Sequence, residues 1–170
     1  LKYTAGLPQE NNSYNSERNE TQMHKILVIH GPNINMTGIR EKGVYGSDTI
    51  ETINCEIQAK AKECDFECEI FQSNHEGTII DKIHQARESF NGIIINAGAY
   101  THYSYAIRDA IATLDIPCVE VHFSNIYARE EFRSKSVIAP VCAGHIAGFG
   151  KASYFLALEW FRFKFHRLPH

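Results

Sequence analysis

The stretch GIIINAGAYTH (92–102) sets three consecutive isoleucines between a glycine and an asparagine, then turns glycine-rich and polar. An unbroken apolar run bounded by turn residues reads as a strand buried on both faces, and such strands occupy the middle of parallel sheets. The flanking sequence has a different period. Ile79, Ile83, Ala86 and Phe90 precede the run on one helical face, and Ile107, Ile111 and Leu114 follow it at similar spacing. Strands alternating with helix-period segments are the signature of parallel strands joined by crossover helices.

Working outward, KILVIH (25–30) is the first strand, and a loop rich in Gly, Asn and Pro runs from it to about Ser47. Asp48, with Glu51 three residues on, resembles a capping box, after which Ile50, Ile53, Ile57 and Ala61 line one helical face. FECEI (66–70) alternates Phe66, Cys68 and Ile70 with Glu67 and Glu69, the pattern of a half-exposed edge strand. PCVEVH (117–122) is a fourth strand, SVIAPVC (136–142) holds a short fifth, and a closing helix spans 151–165. Five such units predict an α/β fold: a three-layer, flavodoxin-like architecture whose five-stranded parallel sheet runs in the order 2-1-3-4-5, helices on both faces. Strands one and three then adjoin at the switch point, where open α/β sheets bind their ligands.

Length and composition narrow the classes. A chain of 170 residues, 44% hydrophobic and 22% charged, suits one globular domain. Residues 1–22, dense in Asn, Glu, Ser and Gln, are expected to be a disordered leader or tag, and 23–170 a single flavodoxin-like domain. No apolar run approaches the roughly 18 to 20 residues that span a bilayer, and the start lacks a secretion-signal pattern, so no membrane contact and a cytoplasmic location are expected. A net charge of -3 argues against a general nucleic-acid binder. The five cysteines are odd in number and mostly embedded in apolar segments, as packed, reduced thiols are. Cys64 and Cys68 lack a second Cys or His pair, and no HExxH occurs, so no metal site is expected.

The polar residues that follow the strands supply the chemistry. Asn33 and Asn35 follow strand one, Asn96 and His102 strand three, and Glu120, His122, Ser124 and Asn125 end strand four, with Arg133 beyond. Each taken singly has a structural reading, because Asn and Gly after a strand commonly make turns. Convergence on one crevice from three strand ends favours a small-molecule site. GHIAGFGKAS (144–153) lacks the spacing of a phosphate loop, and no GxGxxG follows strand one, which disfavours a nucleotide cofactor. In WFRFKFHR (160–167) and the turn before it, Leu156, Trp160 and Phe163 fall at helical spacing, which points to packing against the sheet or a neighbouring subunit.

HGPNIN (30–35), Arg40, VYG (44–46), FQSNHEG (71–77), IINAGAYTH (94–102), EVHFSNIYAREEFR (120–133) and GFG (148–150) together resemble the type II 3-dehydroquinate dehydratases, in order and with family-like spacing. The resemblance implies a shikimate-pathway lyase that removes water from 3-dehydroquinate to give 3-dehydroshikimate, with no cofactor and no metal. It places the catalytic base on Tyr45 and the lid arginine on Arg40. A phenol with an ordinary pKa near 10 needs a nearby guanidinium to serve as a base at neutral pH. The resemblance also implies that Asn33 stabilises the enolate through a water and that His122 protonates the departing hydroxyl. Glu120, two residues before His122 and on the same strand face, can orient that imidazole.

For the substrate, the resemblance implies that the main-chain amides of Phe123 and Ser124, with Asn96, hold the carboxylate, while His102 and Arg133 hold ring hydroxyls. Asp109 matches a residue that reaches the site of an adjacent subunit, implying a homo-oligomer: trimers assembled into a dodecamer. Arg108 and Arg129 read as structural ion-pair residues. The chain departs from the family at His30, where a neutral amide is more usual, at Phe123, where a smaller aliphatic is, and at His75. The rival reading is a non-catalytic, flavodoxin-like module that binds a small acid, which would have no need of Tyr45 with Arg40. A hydrolase built on His122 and Glu120 lacks a GxSxG elbow or an adjacent reactive Cys.

Overall fold

β1 (His24–His30) buries Ile26, Leu27, Val28 and Ile29 completely, as a strand covered on both faces must. The computed structural model describes residues 23–38 and 48–166. After β1 come α1 (Ile50–Glu63), β2 (Phe66–Gln72), α2 (Glu76–Ser89), β3 (Gly92–Asn96), α3 (Tyr105–Ala112), β4 (Cys118–His122), β5 (Gly144–Ala147) and α4 (Ala152–Phe165). The strands are parallel in the order β2-β1-β3-β4-β5, as expected, with β2 at one edge.

The two-residue strand period divides the core into two layers. Ile26, Val28, Ile94, Val119 and Val121 pack under α1 and α4, whereas Leu27, Ile29, Ile93 and Ile95 pack under α2 and α3. Each fully buried isoleucine contributes about 1.5–3 kcal/mol relative to exposure. Gly92, at the start of β3, lets α4 approach: a Cβ there would lie 2.3 Å from the Phe161 ring. Register aligns His30 with Asn96 and Ile95 with Glu120, so the carboxyl ends of β1, β3 and β4 open along one edge.

Local expectations are corrected at the fifth strand and at the cap of α1. The fifth strand is Gly144–Ala147, not a segment of 136–142. Ser136 Oγ accepts from the amides of Ile138 and Ala139 (3.2 and 2.9 Å), and Pro140 has no N–H for a ladder, so the chain turns through a 3-10 segment, Ala139–Val141. Val137 and Ile138 are still buried, on the α2 and α3 side. At α1 the cap is Thr49, whose Oγ1 accepts from the Thr52 amide, while Asp48 bonds Lys151 Nζ at 2.8 Å. On α4 the buried face is Tyr154, Ala157, Leu158 and Phe161, whereas Leu156 and Phe163 of the expected stripe face outward, 45% and 72% exposed. Leu114 lies beyond the end of α3, and Phe90 caps α2.

Candidate active site

The loop after β1 and the loop after β3 meet closely: Gly31 N–H donates to the Asn96 carbonyl (2.7 Å). Gly98 adopts φ 57°, and a Cβ there would sit 2.9 Å from the Pro32 carbonyl oxygen. These loops and the one after β4 enclose a cleft of about 370 Å³, a size suited to one small ring compound. Asn33, His102, His122, Phe123, Ser124 and Arg133 line it, six residues singled out from sequence. Asn96 and Glu120 are instead buried at their strand ends, 2% and 0% exposed. Asp109 lies on α3 away from the cleft, paired with Arg108 at 2.9 Å. Arg40 and Tyr45 fall outside the described residues, as does the leader 1–22. Gly38, which lines the cleft, lies against the Asp48 carbonyl, so the described ends of that interval stand side by side at the rim.

Glu120 and His122 project from one face of β4, and His122 Nε2 lies 2.6 Å from Glu120 Oε1. The carboxylate also accepts from Thr101 Oγ1 (2.9 Å) and from Ser136 Oγ (3.0 and 2.8 Å to its two oxygens). Burial works to raise the Glu120 carboxyl, but the His122 hydrogen bond and charge, with Ser136, outweigh it and hold it below the usual carboxylate range. A carboxylate beside Nε2 keeps a ring proton on that nitrogen, leaving Nδ1 for a ligand. His102 is oriented similarly: its Nδ1 donates to the Lys135 carbonyl (2.9 Å), which leaves Nε2. Arg133 Nε donates to Glu130 Oε2 at 3.0 Å, and its guanidinium stacks on Phe132.

Two residues were missed from sequence. Arg129 pairs with Glu130 at 3.6 Å, as an ion-pair residue should, yet it also lines the cleft and reaches Ser124 Oγ at 3.5 Å. The four-residue spacing of Arg129 and Arg133 over two short 3-10 turns was the available signal. His145 is the cross-strand neighbour of Glu120, its Nε2 4.0 Å from Glu120 Oε1. Burial lowers its pKa, against the opposing pull of Glu120. Glu120, His122 and His145 bring three metal-capable donor atoms within 4.8 Å of one another. The carboxylate already accepts from Thr101, Ser136 and His122, whereas His145 makes no hydrogen bond to it, so an ion there would have to displace the hydroxyl donors.

The departures also have definite places. Phe123 is buried, lines the cleft and packs on Tyr154 with ring centroids 5.4 Å apart. His75 is an exposed N-cap residue of α2. His30 is fully buried, and burial pushes its imidazole down to about 4. Lys151, in the rejected phosphate-loop stretch, is held by Asp48 and Glu56, each at 2.8 Å. All five cysteines are free thiols, and no helix among the described residues is long and apolar enough to cross a membrane.

A doubly wound parallel sheet with a paired Glu–His at its switch-point cleft defines a flavodoxin-like α/β enzyme class. The family description Dehydroquinase class II matches residues 24–162, and the chain belongs to that family. The 3-dehydroquinate dehydratase of Caldicellulosiruptor bescii is 64% identical over 137 residues, 80% of this chain and 94% of that protein. The crystal structure of type II dehydroquinase from Butyrivibrio crossotus superposes with a TM-score of 0.79 at 52% identity, covering 81% of this chain and 97% of that one. The Propionibacterium acnes type II dehydroquinase gives 0.78 at 40%, covering 81% and 95%.

Proposed function

We propose that this hydro-lyase removes water from 3-dehydroquinate through an enolate, with its own side chains as the acid and base. The observation that carries the reading is the 2.6 Å Glu120–His122 pair, with His122 lining a cleft sized for one ring acid and Glu120 buried behind it. Tyr45, its phenolate favoured by the Arg40 guanidinium, takes the proton beside the ketone. The new charge on the enolate oxygen is met by a water held by Asn33. His122, stabilised as imidazolium by Glu120, gives its proton to the departing hydroxyl, so water leaves and the ring gains a carbon–carbon double bond. The amides of Phe123 and Ser124 receive the carboxylate together with Asn96, and His102 and Arg133 meet ring hydroxyls.

The chain works as trimers in which Asp109 reaches a neighbouring site, four trimers forming a dodecamer. The apolar outer face of α4, with Leu156 and Phe163 exposed, is surface that an assembly would cover. The test is direct. Purified protein treated with a chelator should convert 3-dehydroquinate to the ultraviolet-absorbing enone, and borohydride added with substrate should leave activity intact. Inactivation by either treatment would defeat the proposal.

A further inference from the structure

Three buried side chains behind the cleft join in one run of hydrogen bonds. The Gly98 amide donates to Asn96 Oδ1 (3.2 Å), and Asn96 Nδ2 donates to the Tyr154 hydroxyl oxygen (3.0 Å). That hydroxyl meets His30 Nδ1 at 3.0 Å, and His30 Nε2 meets Asn54 Oδ1 at 2.9 Å. The run crosses β3, α4, β1 and α1, and Asn96, Tyr154 and His30 are each 2% exposed or less.

One backbone group sets every proton in it. An amide N–H can only donate, so Asn96 turns its oxygen to Gly98 and its NH2 to Tyr154. The phenol oxygen, having received that hydrogen bond, gives its own O–H to His30 Nδ1. Nε2 therefore carries the imidazole proton and donates to Asn54. An imidazolium would leave the phenol O–H without an acceptor, and burial keeps the ring neutral, at about 4. A buried polar run of this kind stabilises no more than apolar side chains of equal volume would. What it uniquely reaches is Asn96 and, through it, Gly98 in the cleft wall.

We infer that Tyr154 and His30 are positioning residues, which hold the Asn96 amide so that its remaining N–H and the Gly98 turn face the substrate in one fixed arrangement. This rests on the reading above that Asn96 meets the substrate. His30, a departure from the family's usual amide, is thereby a working member of the relay.

Steady-state kinetics with 3-dehydroquinate on Tyr154→Phe, Asn96→Ala and their double variant test it. Tyr154→Phe should raise KM about tenfold, the worth of one hydrogen bond, with kcat within about threefold. The double variant should match Asn96→Ala, because Tyr154 acts only through Asn96. His30→Gln, which keeps a neutral donor and acceptor, should restore most of the affinity that His30→Leu loses. Nitrogen NMR of the wild-type protein should show His30 as the Nε2–H tautomer. Unchanged KM in Tyr154→Phe, losses that multiply in the double variant, or an Nδ1–H tautomer would each overturn the relay. A wild-type KM in Asn96→Ala would instead remove the Asn96 reading, and the relay with it.

Discussion

His145 stands opposite Glu120 across the β4–β5 ladder, while His122 bonds the same carboxylate along β4, so one buried acid faces two imidazoles. Only His122 is within hydrogen-bond distance, and only His122 lines the cleft. The acid's hydrogen bonds to Thr101 and Ser136 fix it toward His122.

Glu120→Gln keeps the shape and removes the charge that stabilises an imidazolium at His122. We expect kcat to fall about 10- to 100-fold, with KM changed less, in a folded protein by circular dichroism. Activity equal to wild type would mean that the pair only braces the sheet.

Tyr45→Phe should lower kcat by about 10²- to 10⁴-fold and leave the melting temperature unchanged. Stopped-flow or initial-rate assays of enone formation read this directly. Arg40→Lys, which keeps charge but not the planar guanidinium, should move the acidic limb of the pH–rate profile, where the base deprotonates, to higher pH.

His30 adds a pH dependence of stability with a definite sign. Its pKa falls from 6.5 unfolded to about 4 folded, so the unfolded state binds the proton more readily. Its contribution is full above pH 6.5 and is lost as pH falls toward 4, amounting to at most about 3 kcal/mol. Denaturant unfolding at steps through that window should show the decline, and His30→Gln should flatten it. Glu120, also depressed, acts in a lower window: its contribution is present above 4.5 and disappears on further acidification.

Gly92→Ala would place a methyl group against the Phe161 ring, 2.3 Å from its nearest atom. The expected loss is about 1–3 kcal/mol in urea unfolding, from overpacking. Phe161→Leu in the same chain should recover part of it.

Much of this was legible from residue order because burial imposes a period. GIIIN announced a central strand, and the 3.6-residue spacing of Ile50, Ile53, Ile57 and Ala61 gave the inner face of α1. The helix α4 was different. It is apolar nearly all round, so periodicity alone did not distinguish Tyr154, Ala157, Leu158 and Phe161 from the outward Leu156 and Phe163. The fifth strand was misplaced for a related reason: SVIAPVC is buried enough to read as a strand, but Ser136 and Pro140 commit it to a turn.

The order of residues by itself determined the alternation of elements, the polar strand ends and the family pattern of motifs. These follow from local spacing and from loops of fixed length. Tertiary structure alone decided that His145 shares Glu120 with His122, that Arg129 enters the cleft, and that Asn96 is tied through Tyr154 to His30. Those contacts depend on strand register and on how closely a helix is allowed to approach the sheet, quantities that no local period encodes.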